Sequence, residues 1–277
     1  MRMISPFTPL FFVNRKADGI ESEYMQTFAP TDRILLEIFS GDTSDITVLL
    51  IDEIKRCPVD QIKLNKWVMN TDIVLNFTTI SLSPGCYSVY VQGVGKSEFF
   101  CVTDDSGILQ STTLIQYSNR NNRQRNDVVF FIDHMQYFFD WRVPGGFKDA
   151  NWGFNVESEQ FVTPSADIAQ LFGMESTTRR FTLGNSSGVP VWYGEMLNRI
   201  LTCSHVYFDG EKYSRKESNV PEMTQPLSGV NSFIFNQTLQ KSVNLDPVIE
   251  QGNLALMRRT DNINYRSTSE INNRIIY

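Results

Sequence analysis

The segment GNSSGVPVWYGEMLNRILTC, Gly184 to Cys203, begins with G-x-S-x-G. That spacing sets a nucleophilic serine on a sharp turn ahead of a helix, and residues 190–203 read as that helix. The chemistry would be acyl transfer by Ser186, and it needs an acid and then a histidine further along the chain. The only histidines are His134 and His205. His205 follows Ser186, but it falls at the start of a hairpin, and the one acid between them is Glu195, on the helix's polar face. His134 lies upstream, which leaves only another triad order. Pro144-Gly-Gly-Phe147 reads as an oxyanion loop or as a plain turn. The surrounding pattern is strands with a single helix rather than alternating strand and helix, so Ser186 reads as a turn residue. A serine hydrolase stays a minor alternative, and no catalytic residue is assigned.

Other chemistry-bearing residues lead to similarly plain readings. The four cysteines, Cys57, Cys86, Cys101 and Cys203, show no C-x-x-C and no ligand spacing with the histidines, so neither a metal nor a cofactor is expected. Cys86 and Cys101 fall on neighbouring predicted strands and are placed to pair in an oxidising compartment. With no export signal read at the N-terminus, buried free thiols are the expectation. Asp104 and Asp105 lack the spaced ligands of a calcium loop and read as a solvated interdomain turn. Arg120, Arg123 and Arg125 form a basic, amide-rich loop. Asn76, Asn185 and Asn236 stand in N-x-S/T sequons, which carry little weight without secretion. In Tyr137–Trp141 (YFFDW), Tyr137, Phe139 and Trp141 share one strand face. Phe138 on the other face suggests contact with another chain or domain, stacking on a sugar, or plain core burial, which alternation alone does not separate.

These residues must be positioned by a chain of 277 residues with 41% hydrophobic and 20% charged side chains, long enough for two cores. Its twenty Phe, ten Tyr and four Trp favour strands. A net charge of -6 argues against a general nucleic-acid binder. No window reaches the length of an apolar membrane span, and the chain is expected to be made and kept in the cytoplasm, or released by lysis rather than secretion. Short strands at 33–39, 46–52, 72–80, 86–92 and 96–102 with turns between them predict an immunoglobulin-like β-sandwich over 24–105. A second β-rich α+β domain is predicted over 106–240. It has strands at 112–118, 127–133, 136–143, 177–183 and 231–240, and a hairpin turning at Asp209-Gly210. In its helix, Trp192, Tyr193, Met196, Leu197, Ile200, Leu201 and Cys203 share one arc at about 100° per residue. Residues 1–23 read as an N-terminal extension and 241–277 as an extended C-terminal arm. The arm carries five basic and four acidic side chains and many asparagines.

Several elements recur in a known order: Arg142, Gly145, Gly146 and Phe147; Thr182 and Gly184; Gly188, Val189, Pro190 and Trp192; Asn198, Arg199 and Ile200; Asp209, Gly210, Tyr213 and Arg215. Over about residues 110–240 the chain resembles proteins encoded in the tail regions of phages and prophages of the Bacteroidetes, with Pro144 and Leu201 departing from that pattern. The resemblance implies a virion structural subunit of the tail, neck or connector, with no catalytic residue to carry over. Its partners would be further copies of itself in a homo-oligomeric ring, and other virion proteins, with arms clasping neighbours. Phe11, Phe12, Phe138, Trp141, Arg258, Arg259 and Tyr277 are the candidate assembly contacts. A carbohydrate-binding or adhesion module with a host glycan as partner is the alternative.

Overall fold

The computed structural model describes residues 2–12, 20–21, 24–69, 72–120, 122, 128–132, 135–148, 152–162, 164, 168–216, 222–226 and 228–242. It is mainly β, as the aromatic-rich segments predict, and it is built mostly from antiparallel pairs, with Gln26–Phe28 parallel to Phe100–Val102, around two large cores.

The first unit is a two-sheet sandwich. One sheet runs Arg2–Ile4, Ile34–Ser40, Val74–Ile80, Asn65–Val68. The other runs Gln26–Phe28, Phe100–Val102, Gly85–Val91, Val48–Asp52, Cys57–Gln61, with Gly95–Lys96 added on Gly85–Val91. Side-chain alternation sorts the faces. Ile34, Leu36 and Ile38 join Val48, Leu50, Val89, Val91, Phe28 and Phe100 between the sheets. Leu35, on the opposite face of the same strand, belongs to the second core, and Leu75 and Phe77 pack with Val129. The outer face of this sheet is therefore covered by the rest of the chain around Leu35, Leu75 and Phe77.

The second unit is a closed barrel, a closure the sequence reading did not anticipate. Ile168–Leu183, Phe139–Gly146, Thr112–Ser118, His205–Phe208, Glu211–Arg215 and Ile234–Lys241 pair in that order. Ile234–Lys241 then pairs back onto Thr177–Leu183. Closure removes free edges, and the narrow interior is filled by side chains: Ile115, Tyr117, Phe139, Trp141, Val143, Phe181, Leu183, Val206, Phe208 and Leu239. At one joint Gly145 stands opposite Leu183 with φ +123°. A Cβ there would lie 2.1 Å from the Thr182 carbonyl oxygen, so the strands meet only because the residue is glycine. The helix Val191–Ile200 packs Tyr193, Met196, Leu197 and Ile200 into this core, the arc expected from its spacing. Pro190 is its N-cap rather than its first helical residue. Asp209 and Gly210 both take positive φ, 49° and 90°, as a type I′ turn requires.

Three expectations are corrected. Residues 2–12 are not an arm reaching to a neighbour. Arg2–Ile4 is a strand of the sandwich, Ile4, Leu10 and Phe12 enter the sandwich core, and Phe7 enters the barrel core. Tyr117 donates its hydroxyl hydrogen to the Phe7 carbonyl at 3.0 Å, and Arg199 donates to that of Pro6 at 3.0 Å. An apolar run so near the end of the chain is explained by this burial. Second, Cys86 and Cys101 form a disulfide, because they stand directly opposite each other on adjacent strands. Third, among the described residues of the segment 127–133 the strand is Phe131–Ile132, paired with Met135–Gln136. Asn122 anchors that turn by accepting from the backbone N–H groups of Phe130 and Phe131.

The two units are clamped by crossed polar pairs that bridge distant positions. Asp32 accepts from Nε and Nη2 of Arg142 at 2.7 and 2.9 Å, a bidentate pair with both residues buried. The neighbouring residues reverse the roles: Asp140 accepts from the backbone N–H of Arg33 at 2.9 Å and from Gln116 Nε2 at 2.8 Å. Burial raises the Asp140 carboxyl above its ordinary range, against the lowering effect of Gln116 and Arg33. Arg142, which the resemblance singled out, is thus a strut between the units.

Candidate assembly surface

Ser186 is an exposed residue of the turn Asn185–Gly188, in which the Gly188 N–H bonds to the Asn185 carbonyl at 3.0 Å. Gly188 has φ +74°, and a Cβ there would crowd Ser232 and the backbone of Phe233. The glycines of G-x-S-x-G are therefore accounted for by turn geometry and close packing. His205 is largely buried against Phe138, with ring centroids 6.3 Å apart. Burial, with Lys212 and Arg120 nearby, pushes its pKa down to about 4. His134, Arg123 and Arg125 lie outside the described residues. Asp105 caps the five-residue helix Ser106–Gln110, its Oδ1 accepting from Gly107 N at 2.8 Å.

The candidate contacts named from sequence are spent inside the chain. Phe11 stacks on Trp192 at 5.2 Å, Phe12 lies in the sandwich core, and Trp141 is fully buried against Tyr193. Phe138 faces another part of the same chain, packing on Tyr207 at 6.0 Å. The expectation that these four side chains meet a partner is corrected, since intramolecular packing already removes them from solvent. Arg258, Arg259 and Tyr277 lie outside the described residues.

The surface that is apolar and open lies where the sequence reading named nothing. The strands Trp152–Val162 and Ile168–Leu183 form a long antiparallel hairpin. Only the final part of the second strand, from Thr177, also pairs with Ile234–Lys241 as barrel wall. The remainder carries large apolar side chains in solvent on both faces. Residues directly opposite in the register share a face. Trp152, Phe154 and Val156 therefore stand on one face, and Phe172 and Met174 on the other. Their exposures run from 46% for Trp152 to 77% for Phe154, with Phe161, Val162, Ile168 and Leu171 also exposed. Isolated apolar residues on a surface are ordinary, but a contiguous group of this kind marks a contact site. Trp152–Val162 is also the end strand of its sheet, its outer backbone edge unpaired among the described residues.

The base of the hairpin is held firmly. The Arg179 guanidinium lies between two rings, 4.1 Å from the centroid of Trp152 and 4.3 Å from that of Phe147. Phe147 stacks on Tyr213 at 4.8 Å. The Tyr213 hydroxyl donates to Glu211 at 2.9 Å, and Glu211 is bridged to Lys241 at 2.7 Å. Burial raises the Tyr213 pKa to about 12. This ladder ties the projecting strands to the barrel wall. The signal for the hairpin was present in W-G-F-N-V-E, which alternates apolar and polar residues from Trp152 to Glu157.

No family model and no curated protein matches the chain. Among solved structures, the crystal structure of Dpr11 IG1 bound to DIP-gamma IG+IG2 aligns over 61% of this chain and 96% of its own, with 8% identity and a TM-score of 0.18. A likeness that slight carries no argument about fold or function. Among the described residues, no helix is long and apolar enough to cross a membrane.

Proposed function

We propose that the chain is a structural subunit of a phage virion, of the tail, neck or connector, which assembles into a ring through protein–protein contacts. The single observation that supports this most is the projecting hairpin, apolar on both faces and exposed along its length. A closed barrel that extends one hairpin into solvent, with large apolar side chains open on it, has a surface suited to another chain. The resemblance over residues 110–240 supplies the virion context. The assembly reading is tested by measuring the mass of the full chain in solution by light scattering over a range of concentrations. A defined multimer is the expected result, and a monomer throughout would contradict it.

The adhesion reading rests on one hollow of about 370 Å³ between the units, lined by Trp67, Tyr137, Asn65, Lys66, Thr78 and Thr79. Aromatic rings beside amides and hydroxyls suit a sugar. Binding on a glycan array, lost in Trp67→Ala, would favour that reading over the first.

A further inference from the structure

We propose that the hairpin of one copy docks on the sandwich edge formed by residues 54–68 of a second copy, so that each molecule uses two different surfaces. The proposal rests on the assembly reading above and names the surface it would use. Two observations select this partner surface.

The first is that residues 54–68 repeat the hairpin's combination of free edge and open apolar side chains. Cys57–Gln61 and Asn65–Val68 are the end strands of their two sheets. Ile54, Val59, Trp67 and Val68 are exposed there by 74%, 45%, 38% and 62%. The second observation is charge. From Trp152 to Thr178 the chain has four acids, Glu157, Glu159, Asp167 and Glu175, and no lysine or arginine. From Ile54 to Val68 it has four bases, Lys55, Arg56, Lys63 and Lys66, against the single acid Asp60. Lys55 and Lys66 also reach Asp52 and Asp45 at 3.4 and 2.6 Å, which leaves Arg56 and Lys63 as the exposed charges best placed to meet an acidic partner.

Two hairpins meeting through one face would bring Glu157 and Glu159 against their own copies, and through the other face Glu175 against its own, and like charges opposed across an interface are costly. An acidic apolar edge against a basic apolar edge avoids that penalty. A contact between unlike surfaces is heterologous and repeats from copy to copy, which gives a ring when the rotation closes.

Sedimentation velocity on the full chain tests the docking. The hairpin variant is Glu157→Lys with Glu159→Lys and Glu175→Lys; the edge variant is Arg56→Glu with Lys63→Glu. All five positions are exposed, and a thermal melt checks that each variant folds. Each variant alone is expected to self-associate at least about tenfold more weakly than the wild type. Mixed in equal amounts, the two variants are expected to recover association to within about threefold, because each reversed surface then finds its complement. Assembly of the wild type that is insensitive to the edge variant, or a mixture that fails to recover, overturns the docking and leaves the assembly reading standing. A wild type that is monomeric throughout overturns both.

Discussion

Trp141 and Trp152 occupy opposite environments on strands that both pair with Ile168–Leu183. Trp141 is wholly buried in the barrel, while Trp152 is 46% exposed on the hairpin. The same contrast runs along a single strand. Phe181 and Leu183 are buried at the end of Ile168–Leu183, whereas Leu171, Phe172 and Met174 near its start are exposed. Residue type does not separate the two halves, since both carry large apolar side chains. Pairing does: from Thr177 onward the strand is built into the barrel wall against Ile234–Lys241, and before Thr177 it pairs with Trp152–Val162 alone. Apolar residues inside a closed barrel hold the fold together. The same residue types on an unclosed extension contribute little to folding and are available to a partner.

That contrast can be broken by substitution. Phe181→Ala should lower the free energy of unfolding by about 3–5 kcal/mol in urea denaturation. Phe154→Ala should change it by no more than about 0.5 kcal/mol. Equal losses at the two positions would mean that the hairpin is part of the folding core. Arg142→Ala should cost about 3–5 kcal/mol, because Asp32 would be left as a buried charge without its bidentate partner. A double variant, Asp32→Leu with Arg142→Met, should recover much of that loss, and chemical denaturation of the three variants measures it.

Smaller effects sharpen the comparison. His205 is held neutral, with its folded pKa near 4, below the unfolded value of about 6.5. A depressed pKa means that the folded state resists protonation, so its contribution is fully present above about pH 6.5 and is lost as pH falls towards 4. Over that interval the loss should be about 2 kcal/mol, and His205→Asn should flatten the curve when unfolding is followed against pH. Arg179→Leu removes the guanidinium between Trp152 and Phe147 and should cost about 1 kcal/mol. Its clearer signature should be faster amide hydrogen exchange at Trp152–Val162 with the barrel unchanged.

The elements legible in the sequence are those set by local chemistry. Asp209-Gly210 specified its turn, and Tyr193, Met196, Leu197 and Ile200 specified the buried helix face. Most sandwich strands followed from short apolar runs set between turn residues, Val74–Ile80 and Gly85–Val91 among them. Barrel closure was not legible, because it joins Thr177–Leu183 to Phe235–Lys241 across a helix and a hairpin, and no local pattern encodes that register. The Cys86–Cys101 pair depends on the same kind of information. Phe138 and Trp141 looked like partner contacts because alternation shows two apolar faces without showing what covers each. The hairpin was the reverse case: its alternation was plain, but nothing local distinguished a projecting strand from a core one.

The most direct test of the account is the mass in solution of the full chain beside the variant Phe154→Ser with Val156→Ser and Phe172→Ser, measured by light scattering at matched concentrations. All three side chains are exposed, so the variant should fold with wild-type stability. The account predicts a multimer for the wild type and a monomer for the variant. A multimer of unchanged mass in the variant would contradict it, and would assign assembly to some other surface.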